Sequence, residues 1–424
     1  MAHHSLPDRD PAPAGNGDFR IELRTILLLG FAYGFAFFDR MAMSFLSPFV
    51  AKDLQLSNLE IGALGSGLSL TWALSAYLIG RWSDAIGRRK PFLLGMMLIF
   101  SFCSILSGLS GGFWSLLASR VIMGAAEGPF LPVCLAIIAA ASAPQRRGLN
   151  AGIVQNFFGS LLGNALAPIV VVAIAVAWGW RTSFMLAGLP GLILALLIWR
   201  YVAEPPKPEP AGEAASGAGG LFPLAMLKVR NVWLCCAIST CMVGTIVLGS
   251  IFLPLYFTNV RGLQPTTMSG LMAVLGLCPA LGGVLVPWLS DRIGRRGPMI
   301  VFSLLTAICP IAALAFDGPL VALGAIMFVS WIGVGVFPLF MGVIPAESLN
   351  PRFAATAMGL VVCVGELTGG FIGPIIGGKA ADLAGLEMPL LIQAGLAIAG
   401  GLLAIGLVET RPRTAPAPLV SETA

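Results

Sequence analysis

The chain has 424 residues, 57% of them hydrophobic and 11% charged, with a mean hydropathy of +0.90 and a formal net charge of +5. No water-soluble core could hide that much apolar surface, so the composition excludes an ordinary soluble domain and indicates an integral membrane protein. The small positive balance is explained by membrane topology and requires no nucleic-acid partner.

A spanning helix needs roughly 20 apolar residues. Runs of that length are expected near 24–50, 58–80, 91–110, 114–141, 149–176, 182–202, 229–257, 267–288, 298–316, 319–344, 355–378 and 388–408. The expected fold is therefore an all-α membrane protein with twelve transmembrane helices. The segment 203–228, with Pro205, Pro206, Pro208, Pro210 and the small residues Ala214 to Gly220, cannot span and separates six helices from six. The expected organisation is a tail (1–23), a six-helix bundle (24–202), a linker (203–228), a second six-helix bundle (229–408) and a second tail (409–424). The first tail lacks the short apolar run of a cleavable signal peptide.

Lys and Arg accumulate in loops retained in the cytoplasm. With the N-terminus inside, 19 of the 25 basic residues fall on the inner side, and only Lys52, Arg181, Arg261 and Lys379 on the outer side. Both termini are thus expected to be cytoplasmic. The eight cysteines all lie within apolar runs and read as packing residues. The only two histidines, His3 and His4, sit in the first tail, so no metal site is expected, and no cofactor.

Two hinges repeat at an offset of 207 residues: Ser83-Asp84-Ala85-Ile86-Gly87-Arg88-Arg89-Lys90-Pro91 and Ser290-Asp291-Arg292-Ile293-Gly294-Arg295-Arg296-Gly297-Pro298. Each places a carboxylate at the end of one helix and guanidinium groups at the start of the next, where charge-assisted hydrogen bonds can tie helix ends together. Gly80-x-x-x-Asp84-x-x-Gly87-Arg88-Arg89 resembles the loop signature between the second and third helices of the major facilitator superfamily. Its echo at Asp291 to Arg296 lies where that superfamily's symmetry requires. The resemblance implies two pseudo-symmetric six-helix bundles that rock about a central site, with Asp84, Arg88, Arg89, Asp291, Arg295 and Arg296 making and breaking interdomain contacts.

The two halves match further, since Arg146 and Arg147 precede Gly152 as Arg352 precedes Gly359. In this alignment Gly163 falls on Gly370, whereas Gly159 falls on Glu366, a carboxylate with no counterpart.

An ion at membrane depth costs ~3 kcal/mol or more, so it is seldom there without a partner or a task. Five stand inside the apolar runs: Asp39 and Arg40 in the first, Arg120 and Glu127 in the fourth, and Glu366 in the eleventh. Arg120 and Glu127 share a helix face, ~10 Å apart along the axis at ~1.5 Å per residue, with Gly124 between them. One reading of the first four is a neutral ion-pair network that fixes helix packing.

The other reading is functional. Phe37-Phe38-Asp39-Arg40, Arg120-Val-Ile-Met-Gly124-Ala-Ala-Glu127-Gly128-Pro129 and Gly179-Trp180-Arg181-x-x-Phe184 resemble the anion:cation symporter family, which includes proton-coupled sugar-acid permeases. The resemblance implies proton-responsive carboxylates at Asp39 and Glu127, an anion-holding arginine at Arg40 and pairing of Arg120 with the carboxylate on its own helix. It also implies contact of Gln155 with substrate hydroxyls, beside Asn156. Gln155 could equally serve as an interhelical hydrogen bond. Tyr33, Phe37 and Arg120 complete the candidate substrate contacts, and Glu366 joins the candidate proton-coupling residues.

Phe37 stands where the sugar-acid permeases carry a tyrosine, which suggests a less hydroxyl-rich site for a smaller or more aromatic carboxylate. The function expected is proton-coupled uptake of a small organic anion, such as a monocarboxylate or sugar acid. The carrier is expected to work as a monomer in a bacterial cytoplasmic membrane.

Two alternatives remain. Gly369-x-x-x-Gly373-Pro374-x-x-Gly377-Gly378 resembles a signature of drug:proton antiporters, which would mean export of an amphiphile, although small residues at this spacing also permit close helix packing. A non-transporting membrane sensor is the other. No Ser/His pair, metal cluster or phosphate-binding loop supports an enzyme.

Overall fold

The computed structural model describes residues 16–86, 88–143, 146–204, 224–350 and 353–410. These form twelve long helices. The first six are α1 (Asn16–Leu54), α2 (Asn58–Ile86), α3 (Lys90–Gly108), α4 (Phe113–Ala141), α5 (Arg147–Trp178) and α6 (Trp180–Tyr201). The second six are α7 (Arg230–Asn259), α8 (Pro265–Ile293), α9 (Arg296–Ala315), α10 (Leu320–Glu347), α11 (Thr356–Ala384) and α12 (Glu387–Ala404). Over their described residues, eleven of them are long and apolar enough to cross a membrane. Helix α2 is 29 residues long, and the Gly- and Ser-rich first half packs against other helices. Most of the expected linker lies outside the described residues; Leu224–Lys228 forms a short 3-10 turn leading into α7.

Several helices are interrupted near mid-length. In α4 the regular α-helix stops at Glu127 and resumes at Phe130, across Gly128 and Pro129, whose ring cannot continue the hydrogen-bond ladder. Both α5 (Ile153–Leu166) and α11 (Glu366–Ile372) widen into π-helix at positions that correspond under the 207-residue offset. Such widening is frequent at functional sites because it re-aims side chains.

Each half has a core of its own. Ile26, Met97, Phe100 and Phe130 belong to the first, and Val232, Met299, Phe340 and Val361 to the second. The largest cluster joins the two halves through Phe38, Leu46, Leu64, Phe252, Leu275 and Trp331, at the end of the bundle away from the hinges. There the backbones nearly touch. A Cβ on Gly62 would collide with the Pro374 carbonyl, and one on Gly276 with the Asn164 carbonyl.

At the hinge end the described contacts tie each half to itself. Buried Glu22 accepts hydrogen bonds from Arg146 Nη2 at 2.6 Å and Asn150 Nδ2 at 2.6 Å. Arg295 donates to Glu347 at 2.8 and 3.2 Å and also pairs with Asp291. The contact with Glu347 holds its guanidinium in the charged form, above the ordinary arginine range. Glu204 accepts from the Arg89 and Lys90 amides at 2.6 and 3.1 Å, and Glu409 accepts from the Arg295 and Arg296 amides at 2.7 and 3.1 Å. A carboxylate just past the last helix of each half thus caps that half's third helix. The Asp84 side chain lies outside the described residues, and Arg88 is exposed.

Candidate functional site

Successive helix residues point ~100° apart, so Asp39 and Arg40 serve different surroundings. Asp39 turns into the first half and is fully buried. Ser104 Oγ on α3 lies 2.5 Å from Asp39 Oδ1 and 2.8 Å from the Phe184 carbonyl oxygen on α6, while Asp39 Oδ2 has no partner. A hydroxyl has one proton to donate. Both contacts are therefore satisfied together when Ser104 donates to Phe184 and a protonated Asp39 donates to Ser104.

Arg40 turns toward the space between the halves. It is half-buried, with its guanidinium 5.1 Å from the centre of the Trp72 ring on α2. Two further carboxyl groups stand at the same depth, Glu127 on α4 and Glu366 on α11 of the opposite half. Glu127 is buried with Oε1 unpartnered, and Glu366 Oε2 is buried and unpartnered beside Gly370.

Arg120 does not pair with Glu127, as the family resemblance implied. It is almost wholly buried, with Nη1 2.9 Å from Met123 Sδ, Nη2 3.5 Å from the Arg40 carbonyl and its guanidinium 5.6 Å from the Phe184 ring centre. Two helical turns separate it from Glu127, a span the side chains do not bridge. None of the described ion pairs involves Asp39, Arg40, Arg120, Glu127 or Glu366. A contact ion-pair network is therefore not what holds these charges.

Gly124 admits α2 rather than open space, since a Cβ there would run into Leu68 and Thr71. Thr71 Oγ1 donates to the Val121 carbonyl at 2.7 Å, which sets Trp72 beneath Arg40. Tyr33 and Phe37 stack at 6.2 Å and lie against α5 at Gly159 and Gly163, so the glycine opposite Glu366 in the repeat is filled by Tyr33. Gln155 and Asn156 are exposed on α5 with no hydrogen bond described. The glycine motif of α11 is occupied by helices: Gly369 meets Thr240, Gly377 meets Phe252, and Gly378 meets Leu59.

Ser104 and Trp72 were not singled out from sequence, because a lone serine or aromatic residue in an apolar run carries no local signal; Phe184 was named only as the end of the Gly179–Phe184 motif. Glu204 and Glu409 did carry one, as carboxylates just past the last apolar run of each half.

Twelve long helices in two related halves, with charges at membrane depth outside the described ion pairs, have the architecture of a membrane carrier. The chain belongs to the Major Facilitator Superfamily, whose family model matches residues 29–371. It is a secondary transporter. It is 28% identical over 409 residues to a hexuronate transporter of Bacillus subtilis (strain 168), covering 92% of this chain and 95% of the relative. It is 26% identical over 373 residues to a 3-(3-hydroxy-phenyl)propionate transporter of Escherichia coli (strain K12), covering 85% and 89%. Among solved structures, a bacterial homologue of the human lysosomal transporter Spinster superposes with a TM-score of 0.74 at 20% identity, covering 93% of this chain and 96% of that one.

Proposed function

We propose that the protein takes up a small organic anion together with protons, with the hinge end in the cytoplasm of a bacterial cell and both termini on that side. The observation that carries this reading is the set of charges at membrane depth: a half-buried Arg40 in none of the described ion pairs, with buried, unpartnered carboxyl oxygens on Glu127 and Glu366. Arginine stays charged at any accessible pH. With both carboxylates ionised, an incoming anion gains little from Arg40. Protonation of Glu127 or Glu366 releases that charge for the substrate, so proton and anion favour each other's binding, as linkage requires.

Asp39 contributes through Ser104, whose hydroxyl satisfies the Phe184 carbonyl when Asp39 holds a proton. Arg120 supports from beneath, bonded to the Arg40 carbonyl rather than to the anion. Trp72 provides a flat wall at Arg40, Tyr33 and Phe37 add aromatic surface against α5, and Gln155 and Asn156 are exposed amides on α5 for substrate polar groups. Relatives named for a hexuronate and for a hydroxyphenyl propionate both carry carboxylates, in agreement with an anion site. In this reading the far end, where the two halves join, is the closed end of the carrier.

The test is flux into proteoliposomes with a library of carboxylates, in wild type and Glu127→Gln. The wild type should concentrate its substrate under an inward proton gradient. The variant should lose that drive and keep exchange. Uptake by Glu127→Gln that still accelerates with the gradient would remove Glu127 from the coupling path.

A further inference from the structure

The end of the bundle away from the hinges holds a contact whose parts come from opposite halves. Helix α2 starts there, and the first amides of any helix lack intrahelical acceptors. Ser57 and Glu60 form a capping box: the Glu60 amide donates to Ser57 Oγ at 3.2 Å and the Ser57 amide to Glu60 Oε2 at 2.9 Å. The Ile61 amide reaches the Ser57 carbonyl at 3.1 Å. Only the Asn58 and Leu59 amides are left over. Both are taken by one carboxylate of the other half, Asp382 at the end of α11, with 2.9 Å from Asn58 to Oδ1 and 3.0 Å from Leu59 to Oδ2.

The approach is built into both backbones. Gly378, one turn before Asp382, lets α11 come so close that a Cβ would stand 2.8 Å from Leu59 Cα. One turn and two turns further along α2, Gly62 lies against Pro374, and Ser66 Oγ donates to the Phe371 carbonyl at 2.6 Å. These are the described hydrogen bonds that cross between the halves. Under the 207-residue offset the partner interface, α5 against α8, has Ala175 in place of Asp382 and Pro265 in place of Asn58. It has neither the acceptor nor the first donor, and Val171 replaces Gly378.

We propose that Asp382 is the latch of this end of the carrier: its carboxylate caps α2 across the two halves only while that end is closed, and so sets the balance between the two access states. Opening that end separates α2 from α11 and hands the Asn58 and Leu59 amides to water. The cap is charge-assisted and faces the helix's positive end, which favours a carboxylate over any neutral residue. Because only one of the two pseudo-symmetric interfaces carries it, opening is governed on the α2/α11 side. The inference rests on alternating access by the two halves and is independent of the anion and proton reading.

The test is hydrogen–deuterium exchange of the full chain in lipid nanodiscs, which needs no substrate. In Asp382→Ala, exchange should rise about tenfold, the usual scale for losing a hydrogen bond to a charged group. The rise should reach not only residues 58–62 but also residues 264–276 at the start of α8, which Asp382 does not touch. Peptides at the hinge end should become more protected at the same time. Asn58→Pro is the second variant, since it deletes one donor, suits the first helical position and copies Pro265; it should shift the same peptides to a lesser extent. Faster exchange confined to residues 58–62, or no change, would make Asp382 a local cap and overturn the proposal.

Discussion

Gly124→Ala is the smallest change that should disturb the site through packing alone. The added Cβ would lie 3.0 Å from the Leu68 carbonyl carbon, and nearer still to that residue's oxygen and to Thr71 Oγ1. Non-bonded carbon contacts settle at ~3.5–4.0 Å, so α4 must withdraw from α2 by about 0.5–1 Å. Forcing a methyl into a full interface costs ~1–3 kcal/mol, and backbone rather than a flexible side chain stands in the way, which places the cost near ~3 kcal/mol. Alanine returns ~1 kcal/mol of helix propensity, leaving a net loss of about 2 kcal/mol.

Gly152→Ala is the matched control, because a Cβ there meets nothing within 4 Å. It should be neutral or stabilising by up to ~1 kcal/mol. The two variants, purified in the same detergent and heated at one scan rate because such unfolding is commonly irreversible, should melt several degrees apart. Withdrawal of α2 would also shift Trp72 beneath Arg40 and slow transport. A Gly124→Ala protein that melts with or above Gly152→Ala would refute the packing argument.

The remaining predictions concern the charges. Arg40→Lys keeps the charge but loses the planar fork and its stacking on Trp72, so anion binding read by thermal-shift titration should weaken at least about tenfold; unchanged affinity would exclude Arg40 as the clamp. Glu366→Gln removes one of the two carboxylates proposed to act on Arg40 and should tighten anion binding at alkaline pH by roughly three- to tenfold. Equal affinity in that variant and wild type across pH would take Glu366 out of the coupling set.

Much of the architecture was legible in the chain. Apolar runs of spanning length indicate helices because lipid leaves backbone groups no other partner, and the twelve expected runs match the twelve helices. The 207-residue repeat marked the two halves, and charges at membrane depth marked Asp39, Arg40, Arg120, Glu127 and Glu366, since burial of an ion is costly enough to stand out in composition. Hydropathy reads each helix alone, however. It carries no information on which face meets which neighbour, and the pairing of Arg120 with Glu127, which the family resemblance implied, is not among the described contacts.

Tertiary structure decided the partners. Arg120 lies under the Arg40 carbonyl because α4 packs on α2 through Gly124 and leaves the two turns to Glu127 unbridged. Ser104 meets Asp39 only where α1, α3 and α6 converge. Asp382 and Asn58 are 324 residues apart in sequence, and nothing local to either marks the other. The sequence by itself determined a helical membrane carrier with two related halves and a set of unmatched buried charges, because hydropathy, repeat and ion cost are properties of short segments. Which arginine faces the space between the halves, and which carboxylate holds the far end shut, depend on packing between helices distant in the chain.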